Sequence, residues 1–502
     1  MTAAPAGPVP TTGAPFRHRT LCRSARPWVA PASLALAQFV VMATYSLTRY
    51  SQFLTAGHDL GIFDQVVRAY SRFRAPIALL KGDGFNILGD HFHPIVAVLA
   101  PLYWIWDDPR MLLLAQSALL AVSTVIVWRF ARRKLAPGWA AILTVGYALG
   151  WPLQGMVNFD FHEVAFAIPL LAWAFDALDR RSDGELVAAS ALLLLVREDM
   201  GALVAVLGVL RALRRPRRAG LVLAAGSVVW LVLVTGMVIP HFSRTGHYAY
   251  WDLPGLGPDA GAAVRTAITD PGTVLRLLVT PDQKWHTMLF LIVPLLFLPL
   301  VSARSLVAAP LLAERFLSAR PALWSTGFHY NAPVWIVLFV ATIDVIGRAH
   351  GWRRRVLGSA LAATLVVVPV AGLVVEPTEV QPILPLARLV DGSAFQTTAH
   401  IRDQAAIVAR VPAGVCVVAD DRLASHLTPK DVVATFGLTN RPQDFYAIDL
   451  SQPVLSIEPN QKTTADAMRI AESEGFLEVA RAGTVVLLQS PSYAGPTPAC
   501  HP

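Results

Sequence analysis

Carboxylates and imidazoles come together in three short segments of this sequence, residues 57–65, 89–94 and 158–163. In chain order they are His58, Asp59, Asp64, Asp90, His91, His93, Asp160, His162 and Glu163. A carboxylate partly withdrawn from water has a raised pKa and becomes a better general base near neutral pH. Asp and His together also suit a divalent metal such as Mg or Mn. The segments predict acid–base chemistry or a metal site if the fold brings them together; otherwise they are ordinary polar loops.

The elements that must position these groups are membrane helices. Of 502 residues, 54% are hydrophobic and 15% are charged, whereas soluble domains carry about 25% charged residues. The apolar residues form long blocks, which excludes a soluble multidomain enzyme, a disordered chain, a collagen-like fibre and a coiled coil. The formal net charge of +8 comes from arginine clusters between apolar blocks. The positive-inside rule explains that pattern, and no nucleic-acid partner is predicted.

We predict a multi-pass α-helical protein of the plasma membrane. A disordered cytoplasmic tail, 1–27, precedes a multi-helix domain, 28–375. The first span, 28–47, is long enough to cross a bilayer and starts inside. Ten more predicted spans make eleven in all: 111–130, 137–156, 163–178, 185–197, 199–213, 219–240, 285–301, 304–318, 332–347 and 356–375.

This alternation puts the strong basic clusters inside and all three acid and histidine segments outside. The long first exterior loop, 48–110, contains an amphipathic stretch at 59–73 and a short apolar stretch at 94–106, which is predicted to lie at the interface or to re-enter the membrane. The stretch 185–213 is divided into two predicted spans at Arg197-Glu198-Asp199. One long helix would bury that charged triplet in mid-bilayer, so the division is favoured.

A linker, 376–385, leads to a small soluble α/β domain, 386–502, outside the membrane. Helical patterns at 398–411 and 463–475 alternate with apolar runs at 414–419, 431–436, 444–450 and 484–489. No Gly-rich phosphate loop is present. Cys416 lies in an apolar run, which favours a buried free thiol; a bridge to Cys500 is the alternative.

Other residues have both a functional and a structural interpretation. Glu198 and Asp199 interrupt an apolar stretch, where carboxylates are functional candidates, but a local pair with Arg197 would also satisfy them. His329 and Tyr330 either hydrogen-bond a polar ligand or anchor the helix at the interface.

Glu314 and Arg315 are neighbours near the outer end of a predicted span. They either pair with each other, or Arg315 binds a phosphate.

Five motifs in this order resemble those of a family of bacterial predicted polytopic membrane proteins that share a domain of unknown function. The motifs are His58-Asp59-Leu60-Gly61-Ile62-Phe63-Asp64-Gln65, Gly89-Asp90-His91-Phe92-His93-Pro94, Phe159-Asp160-Phe161-His162-Glu163, Arg197-Glu198-Asp199 and Gly327-Phe328-His329-Tyr330-Asn331-Ala332-Pro333. The resemblance covers most of the chain and implies a membrane protein without implying an activity.

The layout is more distantly similar to that of the GT-C glycosyltransferases, which take sugars from polyprenyl-phosphate donors. The similarity implies a transfer to an envelope glycan or lipid acceptor at the outer membrane face, with Asp59 as base. It implies a catalytic set of Asp59, Asp64, Asp160 and Glu163. Substrate contacts are expected from His58, His91, Glu198, Asp199, Arg315, His329 and Tyr330, and metal ligation from Asp90, His93 and His162.

Two other classes compete with a transferase. A secondary transporter or flippase would use Glu198 and Asp199 as an ion site, but the sequence has no internal repeat. A non-catalytic envelope assembly protein would instead use its C-terminal domain to bind a partner.

Overall fold

A computed structural model describes residues 28–374, 384–452 and 463–495 of the chain, apart from positions 252, 254, 258 and 259. The predicted tail 1–27 and most of the predicted linker 376–385 lie outside the described residues. Two parts are present: a bundle of helices and a small sheet domain after it.

The bundle is built from helices of very different lengths. They are α1 Val29–Ser51, α2 Ile62–Ser71, α3 Ala100–Tyr103, α4 Arg110–Lys134, α5 Pro137–Ala148, α6 Trp151–Asn158, α7 Ala167–Arg180, α8 Asp183–Leu194, α9 Met200–Ala212, α10 Arg218–Leu233, α11 Ile239–Phe242, α12 Ala260–Thr269, α13 Pro271–Val279, α14 Gln283–Ile292, α15 Ala309–Leu317, α16 Pro321–Trp324, α17 Ala332–Arg348 and α18 Gly351–Val374.

Five helical stretches among the described residues are long and apolar enough to cross a membrane: Val29–Ser51, Arg110–Lys134, Pro137–Asn158, Arg218–Phe242 and His329–Arg348. The predicted count of eleven spans is therefore not confirmed. Several of the other predicted spans correspond to helices that are too short or interrupted. The predicted span 285–301, for example, breaks where Leu296 and Phe297 take left-handed backbone angles.

The predicted break at Arg197-Glu198-Asp199 is confirmed. Helix α8 ends at Leu194 and α9 begins at Met200, so the charged triplet lies in a turn between two helices rather than inside one. Such a turn lets the three side chains reach one end of the bundle, where polar partners can satisfy them.

The predicted first exterior loop, 48–110, folds against the end of the bundle. A π-helical turn, Gly57–Gly61, runs directly into α2, and a 3-10 segment, Pro94–Leu99, runs into α3. Near them Phe73, Trp104 and Ile105 expose 89%, 62% and 80% of their surface. Exposed aromatic and apolar side chains at the end of a membrane bundle are typical of an interfacial position, which supports that prediction for 94–106.

The described part of the C-terminal domain contains a five-stranded mixed sheet in the order β2-β1-β3-β5-β4. The strands are β1 Cys416–Ala419, β2 Val432–Ala434, β3 Phe445–Asp449, β4 Leu477–Ala482 and β5 Val485–Gln489, and the helices are α19 Ala387–Val390, α20 Ala399–Arg410, α21 Asp421–Leu427 and α22 Thr464–Ser473. β1 pairs in parallel with β2 and β3, while β5 pairs antiparallel with β3 and β4.

Alternation along the strands gives this sheet two apolar faces. Val417 and Ala447 lie in the cluster that contains α20 and α21 residues, whereas Val418 and Ile448 lie in the cluster of α22. Successive strand residues point to opposite faces, which is why neighbours in sequence separate in this way.

Cys416, at the start of β1, is disulfide-bonded. The favoured interpretation of a buried free thiol is therefore wrong. The other cysteines of the chain, Cys22 and Cys500, lie outside the described residues.

Helices α9 and α10 pack at a distance that only glycine allows. A methyl group at Gly220 would collide with the backbone nitrogen of Ala212, and one at Gly208 would lie 2.5 Å from that of Ala224. A methyl at Gly226, on the same helix α10, would meet nothing within 4 Å.

We therefore expect Gly220→Ala to destabilise the protein by roughly 1–3 kcal/mol, because overpacking forces the two backbones apart. Gly226→Ala is the matched control and should be neutral or stabilising by at most about 1 kcal/mol. Thermal unfolding in detergent compares the two, and equal unfolding midpoints would contradict the close packing.

Candidate functional site

The first and third acid and histidine segments meet at one end of the bundle. Asp59 Oδ1, in the π-helical turn before α2, lies 3.3 Å from His162 Nε2, in the turn after α6. The His162 ring stacks on that of His329, with 3.8 Å between centroids. The Asp59 and His162 side chains are 17% and 11% exposed, so only a small part of each reaches solvent. We call the space beside Asp59, His162 and His329 the cleft.

Several polar atoms of this cleft have no partner within the described residues. The Nδ1 atoms of His93, His162 and His329 are buried without a hydrogen bond, and the rings of His93 and His162 both lie beside Phe63. A buried polar atom without a partner costs about 1–3 kcal/mol. These nitrogens therefore mark where a polar ligand or water would bind.

Asp59 controls the charge of His162. Burial disfavours the charged imidazole, but the hydrogen bond and the negative charge of Asp59 outweigh burial and raise the pKa of His162. The two side chains form a carboxylate–imidazole pair that can accept and orient a proton.

Asp160, predicted as catalytic, instead holds the Asp59 segment in place. Its Oδ1 pairs with Arg49, at the end of α1, and its Oδ2 accepts a hydrogen bond of 2.7 Å from the backbone nitrogen of Ala56. Its backbone takes a left-handed φ of 58°, and its carbonyl accepts from Gln116. Burial raises the pKa of Asp160, while the charge of Arg49 opposes the rise. Both oxygens are thus engaged in positioning.

Asp64 is not brought to the cleft. It is fully buried, it pairs with Arg68 at 2.6 and 2.9 Å, and it accepts a bond of 2.7 Å from the Tyr103 hydroxyl. This arrangement ties α2 to α3, which explains the acid without a catalytic role.

Glu198 joins the second acid and histidine segment, 89–94, to the α8–α9 turn. It accepts hydrogen bonds from His91 Nδ1 at 2.6 Å, the Phe92 backbone nitrogen at 2.9 Å and the Tyr248 hydroxyl at 2.9 Å. Burial disfavours the charged forms of His91 and Glu198. The attraction between the two charges outweighs burial, so it raises the pKa of His91 to about 9 and lowers that of Glu198 to about 2. The pair is ionised at neutral pH.

Arg197 connects this turn with the third segment. Its Nε bonds Asp199 Oδ1 at 2.9 Å and its Nη1 lies 3.6 Å from Glu163 Oε1. The local pairing considered for the triplet is therefore present, between Arg197 and Asp199. Glu314 is exposed, and the charges of Arg197 and Asp199 act on it, so it faces the polar space beside them.

Arg315 bonds protein atoms rather than Glu314. It donates to the carbonyl oxygens of Leu323 at 2.6 Å and Tyr330 at 2.9 Å, and to Asn331 Oδ1 at 2.8 Å. All three nitrogens are therefore used to hold the segment that carries His329 and Tyr330. A direct contact of Arg315 with a phosphate has no support in this geometry.

The C-terminal domain contributes groups that the sequence did not reveal. Asp421 Oδ1, on α21, accepts a bond of 2.7 Å from the backbone nitrogen of His58. A methyl group at Gly57 would lie 2.5 Å from Ala424 Cβ. Burial raises the pKa of Asp421 to about 6, a rise that the His58 amide opposes and the Asp59 charge reinforces. Helix α21 thus forms a wall of the cleft.

The predicted metal ligands are not assembled. Among the described residues, no three or more His, Cys, Asp or Glu side chains are grouped to hold a metal ion. Asp90 Oδ2 bonds Lys81 Nζ at 2.7 Å and its Oδ1 accepts from the Tyr250 hydroxyl at 3.0 Å. A metal site of Asp90, His93 and His162 stays a prediction.

The comparison of this sequence with known protein families indicates a membrane protein. Residues 49–473 match the model of a family described as "Predicted membrane protein (DUF2079)", which confirms the resemblance to a family with a domain of unknown function. No curated protein matches the sequence.

Two solved structures resemble this fold, both of ArnT from Cupriavidus metallidurans and both 12% identical with a TM-score of 0.48. One, bound to undecaprenyl phosphate, is matched over 93% of this chain and 99% of its own. The other, in the apo state, is matched over 92% of this chain and 100% of its own.

The His91–Glu198 pair predicts a pH dependence of stability. Folding raises the pKa of His91. The ion pair therefore stabilises the folded protein fully below the ordinary histidine pKa of about 6.5, and this stabilisation is lost as pH rises through about 9. We expect His91→Gln to cost on the order of 2 kcal/mol at pH 6 and little above pH 9.5. Thermal unfolding across this range is the measurement. The control is His247→Gln, at an exposed site, and a cost of His91→Gln independent of pH would refute the ion pair.

A second prediction separates Asp160 from Asp59. Asp160→Asn leaves the buried Arg49 without a counter-charge and should destabilise the protein by roughly 3–5 kcal/mol. Asp59→Asn should cost less than about 1 kcal/mol because it breaks no buried arginine pair. Chemical unfolding of both variants tests this. A combined Arg49→Gln/Asp160→Asn variant less stable than the sum of its single changes would argue against the pair.

Proposed function

We propose that this chain, which belongs to the DUF2079 family of predicted membrane proteins, is a GT-C-like glycosyltransferase. It transfers a sugar from a polyprenyl-phosphate donor to an envelope glycan or lipid acceptor at the outer membrane face. The observation that carries the proposal is Asp59: a carboxylate in the cleft, paired with the imidazole of His162 and flanked by buried nitrogens without partners.

In the proposed inverting reaction, Asp59 accepts the proton of the acceptor hydroxyl as its oxygen bonds to the anomeric carbon. The bond between that carbon and the phosphate oxygen breaks, and the lipid phosphate leaves with the bonding electron pair. His162 orients the carboxylate and hydrogen-bonds the acceptor. Arg197, held beside the cleft by Asp199, stabilises the negative charge on the departing phosphate.

The position of the C-terminal domain supports an extracytoplasmic cleft. Asp421 of this domain contacts the Asp59 segment, so the domain and the cleft lie on the same side. Cys416 in the domain is disulfide-bonded, and disulfides persist in oxidising compartments outside the cytoplasm. With the cleft outside, the end of α1 that precedes it lies outside and its N-terminus inside.

No observation favours a transporter. Its proposed ion site would use Glu198 and Asp199, but both are engaged, Glu198 by His91 and Asp199 by Arg197. They also lie in a turn at one end of the bundle, whereas a carrier site needs access from both sides. An assembly protein would not need the Asp59–His162 pair.

We expect Asp59→Asn to abolish incorporation of one sugar into an envelope glycan or lipid while the protein still inserts and folds. The loss should exceed about 100-fold, the usual contribution of a general base. Mass spectrometry of envelope glycans and lipids from a complemented deletion strain is the measurement.

Asp282→Asn is the matched control, because Asp282 is an exposed carboxylate of another exterior segment and should leave incorporation unchanged. If the deletion strain keeps normal envelope glycans and lipids but loses uptake of a small solute, the transferase is excluded and a transporter is favoured.

A further inference from the structure

Six basic residues at the other end of the bundle are neutralised by three aspartates. Asp176, Asp179 and Asp344 form ion pairs that join α4, α7, α17 and the start of the α15 segment. Their basic partners are Arg129, Arg133, Lys134, Arg180, Arg304 and Arg348. These residues have a structural role, because each pairs with a carboxylate that is buried or nearly so.

This network lies across the bundle from Asp59. The candidate span Pro137–Asn158 begins three residues after Lys134 and ends next to the Asp160 turn. A methyl group at Gly347 would lie 2.9 Å from Lys134 Cβ, so the end of α17 is at the same level as the end of α4. With the cleft outside the cytoplasm, this end faces the inner leaflet.

Two arginines beside the network have a different environment. Arg354 and Arg355, in the first turns of α18, form no ion pair within the described part of the chain. They line a cavity of about 300 Å³ together with Ala136, Trp139, His350 and Gly351. Among the residues that the structure describes, no carboxylate lines this cavity. Its positive charge is therefore available to an anion from outside the protein.

The walls of the cavity are held in place by hydrogen bonds and packing. Arg354 donates from Nε to the carbonyl of Ala349 at 2.7 Å and from Nη2 to that of Gly347 at 2.9 Å. These bonds fix its guanidinium at the end of α17. Trp139 packs on Gly358, where a methyl group would lie 3.2 Å from the ring, so the indole forms a rigid wall.

Two further features match a lipid head group. Helices α5 and α18 both begin at the cavity, at Pro137 and Gly351, and helix N-termini favour negative charge. Trp352, next to the cavity on α18, is 70% exposed. Tryptophan at the end of a membrane helix is typical of the level of lipid head groups.

We propose that this cavity binds the phosphate of an anionic phospholipid of the inner leaflet. The arginines and the helix N-termini contact the phosphate oxygens, and Trp139 contacts the glycerol and upper acyl region. Free inorganic phosphate shares the oxygen chemistry but has no apolar part for Trp139 to contact. The proposal does not depend on sugar transfer, because the cavity lies at the opposite end of the bundle.

The test uses purified full-length protein in neutral detergent, titrated with short-chain phosphatidylglycerol or with phosphatidylcholine. Native mass spectrometry counts bound lipid and thermal unfolding reports stabilisation. We expect phosphatidylglycerol to bind in preference to phosphatidylcholine. Arg355→Gln should weaken the binding of phosphatidylglycerol by about fivefold, the usual effect of one basic residue near an anionic lipid.

Arg353→Gln is the matched control. Arg353 lies two residues away on the same helix, is exposed, and stacks on Trp352 rather than lining the cavity. It should leave binding unchanged. An equal loss in both variants would show diffuse attraction to basic charge and overturn the site. Equal binding of the two lipids, or full displacement of lipid by millimolar inorganic phosphate, would overturn a lipid as its ligand.

Discussion

The buried ion pair between Arg49 and Asp160 is the constraint on which the cleft depends. It joins the end of the first membrane helix to the turn after α6, and the same carboxylate holds the backbone at Ala56. The pair therefore holds together the segments of Asp59 and His162, which lie about a hundred residues apart in the sequence. The cost of burying these charges is offset by hydrogen bonds to every oxygen of the carboxylate.

Sequence patterns predicted the acids and histidines of the cleft but not which of them share it. Composition and apolar blocks indicated membrane helices, and the break at Arg197-Glu198-Asp199 followed from the cost of charge in a bilayer. Asp64 and Asp59 look alike in sequence, being five residues apart on one amphipathic stretch. Arg68 follows Asp64 by four residues, a spacing that predicts an ion pair on a helix. The second partner, Tyr103, is 39 residues from Asp64 and could not be identified from spacing.

For the C-terminal domain, too, the sequence predicts some of the elements and not others. Its apolar runs predicted β1, β2, β3 and β5, because buried strands are continuous apolar segments. Strand β4 is exposed at an edge and helix α21 has only seven residues, so neither has a strong periodic signal. Asp421 lies on α21, which is why its contact with the Asp59 segment required the folded chain.

The contact between His58 and Asp421 joins residues 363 positions apart. In a chain inserted from its N-terminus, the Asp59 segment emerges early, whereas α21 emerges only after the bundle has been synthesised. The cleft therefore gains the wall formed by α21 late in biogenesis, when the C-terminal domain has folded against the bundle. Until then a nascent chain already in the membrane has the Asp59 segment without the wall that α21 supplies, so the order of synthesis determines when the cleft is complete.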